Sequence, residues 1–495
     1  MTSSQSIMLA ILIAYLAFNV ITALLYSRRK GQQTTSAEKH YFIGGRNITG
    51  FVLAMTTMAT YVSVSSFVSG PGAAALTYGY AQTWVAAVQV PMTFMVLGVL
   101  GNKLALISRR TGAVTVTGYL KARYQSDLLT IAVSLLMVAF FIAQMVSQFT
   151  GGATLISSIT GLRYPVALCI FALIVVIYTA FGGFCAVAIT DAIQGLIMCI
   201  GTFLLLFYVL RAGGGLSGID AGLQENLPGI YDNLCAKYRP GTLLSFWVLV
   251  GFGTLGLPQT AVRAMSFKDT RSLHNAMWIG AVTCTFIIVG MHLAGTWAGA
   301  LADKANLPTT DYFIPYIVQK IMPTGLAGIF LAAPMAAVMS TADSLLLLAS
   351  AAIIRDIWKE YVVRDNPQRL AAYNRAFKFV SIATTLLLGG ITLVLALDPP
   401  DIIFFLNLFA LGGLECSFFW PLVGGLFWRK GNKYAAVSSA IGGAVTYVLC
   451  HYFVKCAGIH AVVWGLLAGA VLYFAVGAIT CRRHPLDKEI LDKCF

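Results

Sequence analysis

Residues 55–79 read MTTMATYVSVSSFVSGPGAAALTYG. The stretch is apolar enough for a bilayer, yet it carries Ser63, Ser65, Ser66 and Ser69 and runs into Gly70-Pro71-Gly72. A helix in hydrocarbon must satisfy its own backbone groups. Glycine, proline and hydroxyl residues at that depth are tolerated where the freed groups face protein or a water-filled cavity. Residues 245–263, SFWVLVGFGTLGLPQTAVR, repeat the trait with Gly251, Gly253, Gly256 and Pro258. Apolar segments of bilayer length begin near residues 7, 48, 82, 127, 164, 186, 243, 275, 322, 376, 401, 433 and 461, thirteen in all. The two interrupted segments are the second and the seventh. They lie an odd number of crossings apart, so they traverse the membrane in opposite directions. Two broken helices at matching positions of two inverted halves mark the binding site of a secondary transporter.

Composition agrees with an all-α polytopic membrane protein. Hydrophobic residues make up 58% of the chain and charged residues 11%, against about a quarter charged in soluble proteins. The net charge of +14 is confined to short clusters between apolar spans, which is the pattern of cytoplasmic loops and not of a nucleic-acid surface. Met8 to Tyr26 is long enough to span and is followed by Arg28, Arg29 and Lys30, so it reads as a first crossing and not as a cleaved signal. With the N-terminus outside, the inner loops and tail hold 26 of the 33 Lys and Arg residues. These are Arg28 to Arg46, Lys103 to Arg123, Arg263 to Arg271, Arg355 to Lys378, Arg429 to Lys433 and Arg482 to Lys493. That asymmetry predicts an external N-terminus and a cytoplasmic C-terminus. The ten cysteines are scattered and the six histidines do not cluster, so neither a disulfide framework nor a metal centre is expected. A channel needs a filter or a pore ring, and an enzyme needs a nucleophile with its base; neither pattern is present.

The ninth span holds LAAPMAAVMSTADSLLLLAS, residues 331–350, with polar residues at its centre. Ala337, Ser340, Thr341 and Ser344 recur at i, i+3, i+4 and i+7 and share one helical face. Such hydroxyls either bond back onto the carbonyl one turn earlier or present oxygen to a ligand. Asp343, Asp191 and Glu415 are ionisable groups within apolar spans and each needs a partner. For Asp343 a basic residue near the cytoplasmic end is the expected partner. Arg263 closes the seventh span, either snorkelling to the interface or pairing at an inner gate. Gln144 and Gln148, one turn apart, either reach a solute or hold helices together.

YTAFGGFCAVAITDAIQG (178–195), SGPGAA (69–74), GLPQTAVR (256–263), GIFLAAPMAAVMSTADS (328–344) and LNLFALGGLECSFFWPLVGGLFW (406–428) together resemble the sodium/solute symporter family, in order along nearly the whole chain. The resemblance implies a leucine-transporter-like core of five plus five inverted helices in a single transmembrane domain. Residues 1–46 would be a leading helix and loop, 47–211 the first repeat, 243–428 the second, and 429–495 two further helices and a tail. It implies a co-transported sodium ion held by the carbonyls of Ala59, Val62 and Ala337 and the hydroxyls of Ser340 and Thr341, with Asp191 on the sodium path. Asp343 stands where related symporters usually carry a neutral residue; attracting the cation or lining the inward sodium path is the alternative to its basic partner. No other cofactor is implied. TYVSVSSFVSGPGAA, SFWVLVGFGTLGLP, GMHLAG and PPDIIFFLNLFALGGLE place the likeness in the branch that carries pantothenate; a monocarboxylate, proline or a sugar is the alternative solute. The bacterial inner membrane is the expected location. Solute is expected beside the broken spans at Ser63, Ser65, Ser66, Trp247 and Gln259. The free N–H groups of residues 64–66 would receive a carboxylate. Trp247, Phe246 and Phe252 would wall the apolar part. Gln259 stands where close members of the family carry a histidine, so no proton-linked role is expected at that position.

Overall fold

The computed structural model describes residues 3–30, 46–230, 239–302, 307, 309–364, 366–399, 403–454, 458–483 and 488–495. Lys39, in the first expected inner cluster, lies outside them. The described chain is helical, with an isolated backbone bridge between Ile48 and Phe267.

The leading helix is α1 (Ser3–Lys30). The second span is two helices, α2 (Gly50–Tyr61) and α3 (Ser65–Tyr78), bent by 72°. Then follow α4 (Tyr80–Thr111), a short α5 (Val116–Tyr124), α6 (Asp127–Thr160), α7 (Tyr164–Phe184), α8 (Ala186–Ala212) and an amphipathic α9 (Gly215–Asn226). The seventh span is α10 (Pro240–Val250), a 3₁₀ turn at Phe252–Gly256 and α11 (Pro258–Arg263). The rest is α12 (Thr270–Leu301), a short α13 (Phe313–Ile321), α14 (Thr324–Val363), α15 (Pro367–Ala396), α16 (Ile403–Phe427), α17 (Lys433–Tyr452), α18 (Ala461–Thr480) and α19 (Lys488–Cys494). Among the described residues, eleven helices are long and apolar enough to cross alone, and the broken second span is a twelfth. The shorter apolar Pro240–Gly256 stands at the place of the expected seventh span.

Local chemistry explains the joints. α7 and α8 meet at Gly183, whose φ of 67° and ψ of 176° suit glycine and almost nothing else. The Gly-Gly pair of the 178–195 motif is thus the reversal between two spans. In the second span the helix stops at Val62, which is extended at φ −75° and ψ 108°, eight residues before Gly70-Pro71-Gly72. Those glycines lie inside continuing helix and serve close approach: a Cβ on Gly70 would strike His292, and one on Gly72 the carbonyl of Thr310. In the seventh span, Leu257 is extended because the Pro258 ring excludes helix from the residue before it, and Pro258 then opens α11.

α14 is the centre of the molecule. From Phe330 to Ala352 every residue is buried, so its polar stripe faces protein. The basic clusters expected inside converge on one end of the bundle. Arg46 donates to the Ala113 carbonyl (2.8 Å), Arg109 to Phe267 (2.7 Å), Arg123 to Gly425 (2.9 Å), and Lys121 pairs with Glu360 at 2.7 Å.

Candidate ion and solute site

Where α2 stops, the chain leaves carbonyls without helical donors, and α14 lies across the gap. Ser340 Oγ donates to the Ala59 carbonyl at 2.9 Å and lies 3.2 Å from that of Ala337. Thr341 Oγ1 lies 3.3 Å from the Val62 carbonyl and 3.0 Å from that of Ala337. The five oxygens named from sequence therefore meet in one buried cluster, all neutral. A hard monovalent cation seeks such a shell, and an unwound helix can supply it. The hydroxyls bridge two helices as well as bonding back within their own.

One turn toward the basic end lies a charged cluster. Arg263 and Asp191 are 1% and 0% exposed, with Nη2 3.3 Å from Asp191 Oδ2. Thr56 donates to the same oxygen at 2.6 Å, and Arg263 reaches Ser344 Oγ at 2.8 Å and the Gln259 carbonyl at 2.8 Å. Four helices, α2, α8, α11 and α14, are tied at this point. Arg263 is thus an internal ion pair and does not snorkel. Asp343 corrects the expectation made for it: its hydrogen-bond donors are Tyr178, at 2.5 Å, and Ser344, at 3.2 Å, and not a basic side chain. Tyr178 sits on α7, 165 residues away, a pairing no local pattern reveals.

On the other side of the ion cluster, a narrow cleft of about 50 Å³ lies between the two broken spans. Thr60, Ser63, Ser65, Ser66, Gln144, Gln259, His292 and Asn407 supply its polar wall, and Phe246, Val250, Phe404 and Leu411 its apolar one. No lining residue carries a full charge apart from what His292 can accept. Ser65 Oγ, Gln144 Oε1 and Gln259 Oε1 are buried with no hydrogen-bond partner among the described residues, so they are poised for a ligand. Ser63, Ser65, Ser66 and Gln259, expected beside the broken spans, are among the lining residues. Trp247 is not: its ring packs on Trp84, 5.0 Å between centroids, because α10 turns its Phe246 face to the cleft. Phe252 likewise leaves the cleft and packs on Phe419 at 4.8 Å. The expected carboxylate-binding N–H groups are also partly spoken for, Val64 N by Gln148 Oε1 at 3.2 Å and Ser66 N by the Ser63 carbonyl at 3.0 Å. Gln148, which also reaches Asn407 at 3.4 Å, joins helices, while Gln144 faces the cleft. His292 was missed. Its only sequence signal is a lone histidine in GMHLAG, and its position is fixed by Nδ1 lying 2.8 Å from the Ile288 carbonyl.

Broken spans, a neutral oxygen shell and an adjoining uncharged cleft define a cation-coupled symporter with a leucine-transporter-like core. The comparisons agree. A solved structure described as a substrate-bound, outward-open Na+-coupled sialic acid symporter superposes with a TM-score of 0.79, covering 97% of this chain and 98% of that one at 20% identity, which speaks to fold alone. The family model described as "Sodium:solute symporter family" matches residues 41–443, and the chain belongs to that family. It is 42% identical over 484 residues to the sodium/pantothenate symporter of Haemophilus influenzae, covering 95% of this chain and 96% of that protein. It is 43% identical over 471 residues to the protein of that name from Escherichia coli, covering 94% and 95%. The chain is a multi-pass membrane transporter, not an enzyme.

Proposed function

We propose that the chain carries pantothenate into the cell with sodium by alternating access, the ion at Ala59, Val62, Ala337, Ser340 and Thr341 and the solute in the adjoining cleft. One observation carries the reading. The residues that end α2 serve both sites, Val62 giving its carbonyl to the ion cluster while Thr60, Ser63 and Ser65 line the cleft. An ion that holds this break in shape therefore shapes the solute site, which is the linkage a symporter needs. Pantothenate is a monoanion with an amide, two hydroxyls and a dimethyl carbon. Gln144, Gln259, His292 and the serines match its polar groups, and Phe246 with Leu411 its apolar part. In a cleft without a Lys or Arg, the neighbouring sodium ion supplies the charge that offsets the carboxylate. Relatives of that name at 42% and 43% identity support this solute.

Asp191 and Asp343 then stand on the inward sodium path. The inverted repeats are residues 47–211 and 243–428, preceded by the leading segment 1–46 and followed by residues 429–495. The N-terminus lies outside and the basic end faces the cytoplasm of a bacterial inner membrane. The test is binding of labelled pantothenate to the purified protein in sodium and in potassium, challenged with proline, glucose and a short monocarboxylate. Pantothenate alone should displace the label, and only in sodium. Displacement by proline at equal concentration would overturn the solute assignment.

A further inference from the structure

Glu415 is 0% exposed, and neither of its carboxyl oxygens has a hydrogen-bond partner among the described residues. It lies on α16, four, seven and eight residues beyond Leu411, Leu408 and Asn407, so it continues the helical face that lines the cleft. It is aimed at the break in the seventh span. A Cβ on Gly253 would collide with Glu415 Oε2 and lie 3.0 Å from the Val248 carbonyl, so the missing side chain of Gly253 makes the room the carboxyl occupies. Gly253 lies between Val250 and Leu257, which both line the cleft. The titratable groups that sense Glu415 are Tyr61 on α2, Tyr447 on α17 and Cys416 beside it, none of them cationic. No salt bridge reaches it among the described residues.

We propose that Glu415 is a proton-binding site coupled to the movement of the broken seventh span. An ionised carboxylate without a counter-charge is not held in such surroundings, so here the group carries its proton. When the Phe252–Gly256 turn parts from α16, the carboxyl meets cleft water. Its O–H bond then breaks, the electron pair stays on the carboxylate and the proton goes to water; closure reverses the exchange. A bound sodium ion would need a shell of oxygens like the one where α2 ends, and neither carboxyl oxygen of Glu415 has a hydrogen-bonding neighbour among the described residues. A proton needs the carboxyl alone. Alkaline conditions therefore favour the parted form and slow the cycle.

The uptake arm of the test rests on the transport reading above; the stability arm does not. Sodium-driven pantothenate uptake into proteoliposomes, buffered equally on both sides, is measured from about pH 6 to about pH 9. The native protein should lose rate several-fold across that range, and Glu415→Gln, a permanent neutral mimic, should flatten the profile. In parallel, the melting temperature of purified native protein should fall with rising pH more steeply than that of Glu415→Gln, with no solute present. Gly253→Ala, which crowds the carboxyl out of its seat, should move the native pH profile without removing the acid. Superimposable melting curves against pH for the native protein and Glu415→Gln would overturn the proposal. So would a tenfold rise in half-saturating sodium for Glu415→Gln with its pH profile unchanged, which would make the group a sodium ligand.

Discussion

Replacing Thr341 by valine keeps the shape of the side chain and deletes one oxygen from the cluster where α2 ends. That oxygen lies 3.3 Å from the Val62 carbonyl and 3.0 Å from that of Ala337, so its loss leaves a bound cation one protein ligand short. A hydrogen bond to a charged group contributes about 1.5–3 kcal/mol, and an ion–oxygen contact in a buried shell is taken as comparable. At about 1.4 kcal/mol per decade, the sodium concentration for half-maximal uptake should rise roughly ten- to a hundredfold. The hydroxyl also ties two helices, so some loss of stability is expected without any ion. The two contributions separate in a thermal-shift assay run in sodium and in potassium. Sodium at about a hundred times its dissociation constant stabilises the native protein by about 2.7 kcal/mol, and a variant weakened ten- to a hundredfold gains only about 1.4 to 0.4 kcal/mol. Ser340→Ala should behave alike. Equal sodium-induced shifts in native protein and Thr341→Val would refute the site and leave the hydroxyls as helix–helix ties.

The Arg263–Asp191 pair is buried, so Asp191→Leu alone should cost about 3–5 kcal/mol by stranding the guanidinium, and Asp191→Leu with Arg263→Met clearly less, read as melting temperatures at matched conditions. Gly183→Ala forces a side chain into a conformation reserved for glycine and should cost about 1–3 kcal/mol in the same assay, with no change in half-saturating sodium for the protein that folds. Gln144→Leu and Gln259→Leu remove unpartnered oxygens from the cleft, and each should raise the solute KM about tenfold while the sodium curve moves far less. Trp247→Phe, facing Trp84 and not the cleft, should leave solute KM within about twofold.

The broken spans, the hydroxyl stripe and the basic asymmetry were legible because each is a local departure from what hydrocarbon tolerates. Ser340 and Thr341 announce themselves by standing in the middle of an apolar helix, whereas the carbonyls of Ala59, Val62 and Ala337 were named through the family resemblance. The place of that break was less legible. Gly70-Pro71-Gly72 drew the eye, but the chain unwinds at Val62, and the glycines instead admit His292 and the Thr310 carbonyl. What the sequence does not carry is partnership across the bundle. Tyr178 with Asp343, Gln148 with Val64, and Trp247 with Trp84 join residues 165, 84 and 163 positions apart, set by helix rotation and crossing angle. Glu415 shows the same limit from the other side: the sequence demanded a partner, and the fold supplies a space made by Gly253.

Sodium-driven accumulation is the most direct test of the whole account. Proteoliposomes holding the purified protein and loaded with potassium are diluted into sodium or into potassium medium with labelled pantothenate. An inward sodium gradient should drive saturable uptake above the outside concentration, and its collapse by a sodium ionophore should release the label. Uptake of equal rate and extent in potassium, or accumulation of proline but not of pantothenate under the sodium gradient, would contradict the account.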